Sequence, residues 1–204
     1  MSCEEFLRSL TKENGGYQPI EYLPHLTSRK RKGDYQRMLK MILDFCGDVR
    51  DKHILDIGPC FGYFSFELTK LGAYTTGVEH NKERFDVCRC LSEVYGFDPS
   101  NPKFINMDIT DYDIAPDERY HYVLLLNVFH YVLEQNQQKA WGTLNRVAEA
   151  SEAMFISMPH QRGLNARSQN EIPEIVTSKS ILTDFKKLGT GRGRGGRHFY
   201  VFWK

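Results

Sequence analysis

Polar side chains that could hold a small ligand accompany four short apolar runs of this chain. Asp56 lies in the first run, Glu79 closes the second, Asp108 follows the third and Asn127 follows the fourth. A carboxylate at the end of a strand can accept hydrogen bonds from both hydroxyl groups of a ribose. The pattern therefore indicates chemistry on a nucleoside-like ligand, provided that the four runs are strands of one sheet.

The residues 53–81 predict the unit that positions the first two acids. A strand, His53–Ile57, breaks at Gly58 and Gly62, a helix is predicted over 62–71, and a second strand, Tyr74–Glu79, follows. A strand, a glycine turn, a helix and a strand form the entry unit of nucleotide-binding α/β folds. Small residues in the turn let the backbone approach a ligand closely.

Two ligands compete for this turn, a dinucleotide and S-adenosylmethionine. The dinucleotide fingerprint G-x-G-x-x-G, aligned on Gly58, meets Cys60 and Tyr63 where it needs glycine, which disfavours a pyrophosphate. The same turn resembles motif I of the class I S-adenosylmethionine-dependent methyltransferases, in which an acid and an apolar residue precede G-x-G-x-G. Asp56, Gly58 and Gly62 match that motif, and Cys60 replaces its middle glycine.

This resemblance implies a fold, a cofactor and an activity. The fold would be α/β, with one Rossmann-like doubly wound sheet that is mostly parallel, an antiparallel C-terminal strand and an N-terminal helical arm. The cofactor would be S-adenosylmethionine and the chain an S-adenosylmethionine-dependent methyltransferase. Amides that begin the helix after Gly62 would face the cofactor carboxylate, with support from the helix dipole. Glu79 would hold the ribose hydroxyl groups.

Two further segments extend the resemblance. The short strand that ends at Asp108 matches the position where an acid, with the Ile109 amide, meets the adenine amino group. The run that stops at Asn127 and continues Val-Phe-His-Tyr resembles the segment after strand 4, where substrate and methyl group meet. The cofactor-binding residues implied by the resemblance are Asp56, Gly58, Cys60, Gly62, Tyr63, Glu79, Asp108, Ile109 and Asn127.

Methyl transfer from a sulfonium is an in-line displacement, so alignment and exclusion of water are the main catalytic tasks. A base is needed only when the acceptor is a hydroxyl group or a protonated amine. His130 is the leading candidate for that base, with a packing histidine as the alternative interpretation. His160 borders the same predicted face and could act there or lie exposed in a loop. Tyr131 could close the cleft.

Composition narrows the class of protein. The net charge of +1 argues against a protein that binds a polyanion over much of its surface. The five cysteines include no C-x-x-C pair and no His/Cys cluster at ligand spacing, so we predict reduced thiols and no metal site. The polar start of the chain and the absence of an apolar run of about 20 residues predict a cytoplasmic protein without a membrane partner.

The chain is expected to divide into an arm with a covering helix, 1–49, and a methyltransferase core, 50–204. The arm is predicted to be irregular up to Thr27 and the covering helix to span 34–46, with Asp34 as its N-cap. In the core we predict helices over 82–95 and 134–149, strands over 103–107, 122–126 and 153–158, and a reduced third helix over 111–119. A lid loop over 161–176 and a last helix over 178–187 would follow. The chain would end in a hairpin, in which 188 and 199–203 pair around the residues 189–196.

The acceptor is the most open question. Residues 61–65, 86–93 and 128–131 look like the methyltransferase part of bacterial O-antigen chain-terminating enzymes, which implies a small-molecule or glycan acceptor methylated at oxygen. Arg29–Lys32 (Arg-Lys-Arg-Lys) and the group of Arg192, Arg194 and Arg197 favour an anionic acceptor, or are simply solvated. Two alternatives stay open, an RNA or tRNA methyltransferase and a non-catalytic binding module of the same fold. The sequence predicts no oligomeric state.

Overall fold

The structure is a computed structural model that describes residues 2–12, 16–190 and 197–204. Its helices within these ranges are α1 Cys3–Arg8, α2 Arg29–Cys46, α3 Tyr63–Lys70, α4 Lys82–Val94, α5 Phe129–Gln135, α6 Gln137–Glu149 and α7 Ile172–Lys179. The strands are β1 His53–Ile57, β2 Tyr74–Glu79, β3 Lys103–Asn106, β4 Tyr120–Leu126, β5 Ser151–Ser157, β6 Asp184–Thr190 and β7 His198–Trp203. A short 3₁₀ turn, Gln169–Glu171, precedes α7.

The seven strands form one sheet in the order β3-β2-β1-β4-β5-β7-β6. The pairs β2–β3, β1–β4 and β4–β5 are parallel, whereas β7 runs antiparallel to β5 and to β6. The strand order reverses direction after β1, which is the arrangement of a doubly wound sheet. The prediction of a mostly parallel Rossmann-like sheet with an antiparallel C-terminal strand is confirmed.

The chain separates into two compact units. The first contains Met1–Lys52 and Gly58–Asp108, and the second contains His53–Ile57 and Ile109–Lys204. In the first unit, apolar residues of the arm such as Leu7 and Ile20 pack into one core with residues of α3 and α4. The core of the second unit contains Leu124 and Phe155, which are completely buried. No helix of the described residues is long and apolar enough to cross a membrane.

The arm is more ordered than the sequence analysis predicted. Helix α1 occupies Cys3–Arg8, inside the segment expected to be irregular. Ser2 and Glu5 form a capping box, in which the Ser2 side chain accepts from the Glu5 amide and Glu5 accepts from the Ser2 amide. A helix of six residues is too short to be stable alone, so its packing against the rest of the first unit maintains it.

The covering helix α2 begins earlier than predicted. Ser28, and not Asp34, is its N-cap, with its side chain accepting from the Arg31 amide. The basic run that starts at Arg29 therefore forms the first turns of the helix. Asp34 instead pairs with Arg37 on the helix surface at 2.7 Å. The Tyr35 ring packs 5.4 Å from the Tyr63 ring, which fixes α2 over the start of α3.

The segment after β5 differs most from the prediction. The expected helix over 178–187 is wrong, because strand β6 begins inside it and pairs with β7 from Asp184 to Thr190. Helix α7 lies instead at Ile172–Lys179, partly inside the predicted loop. Pro173 in its first turn favours this start, and Ile172 and Val176 are buried. Most of β6 is exposed, so its sequence lacks the alternation that identifies a strand.

One residue divides the long helix predicted over 134–149. Asn136 ends α5, where its amide donates to the Val132 carbonyl at 3.0 Å. Its side chain also caps α6 by accepting from the Lys139 amide at 2.9 Å. The two helices therefore follow one another without a loop. The expected reduction of the helix over 111–119 is confirmed, since these residues form turns and irregular backbone.

Cys3 and Cys90 form a disulfide that joins α1 to α4. Their Cα atoms lie 4.9 Å apart, across 87 residues of sequence. The prediction that all five cysteines are reduced thiols is therefore wrong for this pair. The sequence contained no sign of the pairing, because nothing in the spacing of the two residues indicates that α1 lies on α4.

Candidate functional site

The turn after β1 has a left-handed backbone conformation at three positions. Gly58, Cys60 and Gly62 have φ angles of 67°, 60° and 76°, all in the left-handed region. Cys60 therefore holds the conformation that a glycine would hold more easily at the middle position. The Gly58 amide donates to the Val78 carbonyl at 2.9 Å, which ties the turn to the end of β2.

Packing as well as backbone conformation restricts position 62 to glycine. A Cβ atom at Gly62 would lie 2.7 Å from a ring carbon of Phe66 and 3.1 Å from one of Phe104. Both distances are shorter than ordinary carbon contacts, so the rings would have to move. Gly62 thus lets α3 start directly against aromatic rings of the first unit.

Glu79 connects the turn to the next helix. Its Oε2 atom accepts from the Cys60 amide and its Oε1 atom from the Asn81 amide, each at 3.0 Å. The residue is 1% exposed, and the His80 ring lies 3.3 Å from Oε1. An ionised carboxylate has about four acceptor positions. Glu79 therefore supports the turn and keeps acceptor capacity for the two hydroxyl groups of a diol.

Gln18 is a site residue that the sequence analysis missed. Its Oε1 atom accepts from the Phe61 amide at 2.8 Å and from the Tyr63 amide at 3.4 Å. It is 5% exposed and comes from the arm, where no motif marked it. The Tyr63 amide, which was predicted to face the cofactor carboxylate, is therefore held by this side chain in the structure. Its role toward a cofactor stays a prediction.

The first unit contains a cavity, and Asp108 does not line it. Asp108 is half-buried after β3. A cavity of about 150 Å³ lies between the arm and helices α3 and α4, lined by side chains that include Phe61, Tyr63, Lys70 and Tyr95. Of the predicted cofactor residues Tyr63 lines it, whereas Glu79 and Asp108 do not.

In the second unit, Asn127 follows β4 with a left-handed φ of 63°. Its amide donates to the Ser157 carbonyl at 2.6 Å, which ties the ends of β4 and β5 together. Its side-chain oxygen accepts from the Arg197 guanidinium. Arg197 forms no ion pair with the part of the chain that the structure describes. Arg192 and Arg194 lie outside the described residues.

His130 lies on α5 and is 2% exposed. Among the described residues, its Nδ1 atom has no hydrogen-bond partner. Burial, followed by the positive charges of Arg162 and Arg197, lowers the pKa of His130 to about 4. The imidazole is therefore neutral near pH 7, with a buried ring nitrogen to which a ligand could form a hydrogen bond.

Tyr131 and Arg162 form a stacked pair beside His130. The Tyr131 ring centroid is 4.1 Å from that of His130, and the Arg162 guanidinium lies 4.6 Å above the Tyr131 ring. Arg162 donates to both carboxylate oxygens of Glu134, at 2.8 and 2.5 Å. Tyr131 is 51% exposed. The pair gives this face an aromatic surface with a guanidinium whose charge Glu134 compensates.

The remaining predicted residues of this unit occupy the ends of strands. Asp56 is 3% exposed on β1, and Ile109 is 7% exposed with its carbonyl accepting from Arg146 at 3.1 Å. His160 is half-buried after β5, and its Nδ1 atom lies 3.1 Å from Nε2 of Gln169. The structure thus joins Glu79 to Cys60 in the first unit and His130 to Tyr131 in the second. His160 belongs to a separate hydrogen-bond network with Gln169.

Comparison with known proteins supports one family. The family described as "Methyltransferase domain" matches residues 54–150, which contain the turn, Glu79, Asp108 and His130. The comparisons support a class I S-adenosylmethionine-dependent methyltransferase. The predicted resemblance is therefore confirmed.

Among the relatives of this methyltransferase is the O-antigen chain terminator bifunctional methyltransferase/kinase WbdD of Escherichia coli. It is 28% identical over 115 residues, which are 53% of this chain and 15% of WbdD. The methyltransferase thus spans a small part of the curated relative that it matches.

Solved structures support the same fold. A co-crystal structure of WbdD with a kinase inhibitor has a TM-score of 0.74 at 18% identity, over 99% of this chain and 47% of that one. Magnesium protoporphyrin IX methyltransferase (ChlM) from Synechocystis PCC 6803, solved with bound SAM, has a TM-score of 0.63 at 16% identity, over 84% of this chain and 81% of that one. At these identities the likeness concerns the fold.

Proposed function

We propose that this methyltransferase transfers the methyl group of S-adenosylmethionine to an oxygen atom of a small or sugar-linked anionic acceptor. The observation that carries the acceptor chemistry is the state of Arg197. Its guanidinium donates to the neutral side chain of Asn127 and forms no ion pair among the described residues. An arginine held by a neutral partner keeps its full charge for a phosphate or carboxylate.

The residues of the first unit that would bind the methyl donor suit an adenosine that carries no phosphate. Glu79 retains acceptor positions for a diol, and Gly58 and Gly62 of the turn carry no side chain. We assign the ribose to Glu79, the adenine to Asp108 and the Ile109 amide, and the methionine end to Asn127. Asp56 and Tyr63 complete the set. When bound, S-adenosylmethionine supplies an electrophilic methyl group on a sulfonium.

The residues of the second unit suit an acceptor that is already ionised. Such an oxygen attacks without losing a proton, so positioning is the main requirement. Arg197 would attract the anion, and Tyr131 would cover it. For an acceptor that carries a hydroxyl group, neutral His130 has the lone pair needed to take the proton. Both cases end with a methyl–oxygen bond and S-adenosylhomocysteine.

A screen with an isotopically labelled methyl donor tests the acceptor class. Sugar phosphates, carboxylates, uncharged sugars and RNA are compared at equal concentration, and methylated products are identified by mass spectrometry. We expect turnover with phosphates or carboxylates and a rise in KM of about tenfold or more in Arg197→Gln. Arg167→Gln serves as the matched control, because Arg167 is an exposed arginine of the same unit.

Three outcomes would contradict the proposal. Methylation of uncharged sugars alone would remove the anionic acceptor. Methylation of RNA, with affinity that falls steeply as salt rises, would establish the RNA alternative. Calorimetry without any heat of donor binding would support a non-catalytic binding module.

A further inference from the structure

Gln169 lies between two histidines, and one contact assigns the atoms of its side chain. The backbone amide of His198 lies 3.0 Å from Oε1 of Gln169. A backbone amide can only donate, so the atom that it meets must be the oxygen. The other terminal atom is therefore the amide nitrogen. Its distance of 3.3 Å to the Met158 carbonyl agrees, because a carbonyl can only accept.

This assignment determines the hydrogen position on His160. The amide nitrogen of Gln169 lies 3.1 Å from Nδ1 of His160. An amide nitrogen donates and has no lone pair to accept with, so Nδ1 of His160 must be the acceptor. A hydrogen on Nδ1 would point at the amide hydrogens. The neutral imidazole of His160 therefore carries its hydrogen on Nε2.

Strand β7 holds Gln169 in this orientation. The Tyr200 hydroxyl donates to the Gln169 carbonyl at 2.9 Å and therefore accepts from Nδ1 of His198, also at 2.9 Å. Nε2 of His198 is then left to accept from Lys187 at 3.0 Å. Burial and the charge of Lys187 lower the pKa of His198, which agrees with this neutral form. The terminal hairpin thus contacts Gln169 through both its main chain and its side chain.

We propose that Gln169 is a positioning residue that holds His160 in the Nε2–H form, so that His160 donates a hydrogen bond to the acceptor and does not take a proton from it. The role in catalysis rests on the proposed function, whereas the hydrogen position does not. Of the two candidate histidines, only His130 then has a ring nitrogen without a hydrogen-bond partner among the described residues. His160 instead provides the acceptor anion with a donor, which complements the charge of Arg197.

Long-range ¹H–¹⁵N spectra of the full chain labelled at histidine test the hydrogen position directly. In the neutral form of His160, we expect one protonated nitrogen, Nε2, and an unprotonated Nδ1. In Gln169→Glu, one carboxylate oxygen still accepts from the His198 amide, while the other faces Nδ1 and can only accept. We therefore expect Nδ1 of His160 to gain a proton in this variant.

Gln161→Glu is the matched control, because it adds the same charge next to His160 on an exposed residue. Its His160 signals should match those of the wild type. Once an acceptor is known, Gln169→Glu should lower kcat by about tenfold or more and leave donor affinity unchanged. Protonated Nδ1 in the wild type, or an unaltered His160 spectrum in Gln169→Glu, would overturn the proposal. A wild-type Nε2–H signal without any methyl transfer would instead contradict the proposed function alone.

Discussion

The side-chain oxygen of Gln18 lies 2.8 Å from the backbone nitrogen of Phe61, although 43 residues separate them. The turn after β1 therefore takes part of its support from the arm. The Cys60 amide is held by Glu79, and the Phe61 and Tyr63 amides by Gln18. The shape of the turn thus depends on two side chains from outside motif I.

Loss of the Gln18 acceptor should weaken donor binding. In Gln18→Leu, two amides near the turn lose their partner, at a cost of about 1–3 kcal/mol. Calorimetry should show a Kd for S-adenosylhomocysteine about 5- to 100-fold higher. Gln18→Glu keeps an acceptor and should bind more tightly than Gln18→Leu. Gln36→Leu, on the exposed surface of α2, should bind as the wild type does. Equal affinity in Gln18→Leu and the wild type would show that the turn does not need the arm.

Replacement of Glu79 by alanine should lower both stability and donor affinity. The amides of Cys60 and Asn81 would lose their acceptor inside the protein, at a cost of about 1–3 kcal/mol. A bound ribose would lose its diol partner in addition. Thermal melting and calorimetry measure the two effects separately. Glu83→Ala, exposed in the first turn of α4, is the control. A lower melting temperature with unchanged affinity would place the ribose elsewhere.

Acid should destabilise the wild type more than a variant without His130. The folded-state pKa of His130, about 4, lies below the ordinary histidine value of 6.5. Between these values the unfolded chain binds more protons, so stability falls as the pH falls from about 6.5 to about 4. The loss should approach about 3 kcal/mol.

Denaturant unfolding of the wild type and His130→Phe at pH 7 and pH 4 measures that difference. Other groups titrate in both proteins and cancel in the comparison. His25→Phe, at an exposed position of the arm, should follow the wild type at both pH values. A wild type and a His130→Phe variant with parallel pH dependence would mean that His130 titrates normally.

Removal of the Cys3–Cys90 disulfide should destabilise the first unit. The bond closes a long loop and joins α1 to α4, and such bonds typically contribute about 2–4 kcal/mol. We expect Cys3→Ser to lower the melting temperature, and dithiothreitol to lower that of the wild type by a similar amount. Cys46→Ser is the control. A wild type that melts identically with and without reductant, and identically to Cys3→Ser, would rule out a stabilising bond.

The central part of the chain could be predicted because local signals agree there. The glycines at 58 and 62 and the acid at 79 stand at the borders of apolar runs, so β1, α3 and β2 follow directly. Hydrogen positions and the lowered pKa of His130 could not follow, because they depend on burial and on charges distant in the sequence.

The ends of the chain could not be predicted because distant partners maintain their structure. Strand β6 exists because β7 offers it backbone groups, while its own side chains are mostly exposed. Gln18 and Gln169 have the same chemical nature as surface glutamines. Only folding reveals that each meets a backbone amide from another segment, Phe61 in one case and His198 in the other.

Strand β6 also affects how the protein behaves at high concentration. It is the last strand of the sheet and carries Lys186 and Lys187 on adjacent exposed positions, one toward each face. A second copy that added its own β6 to this border would bring like charges together on both faces. Electrostatic repulsion therefore protects the border against growth of the sheet from one molecule into the next. Acetylation of these lysines would remove that protection.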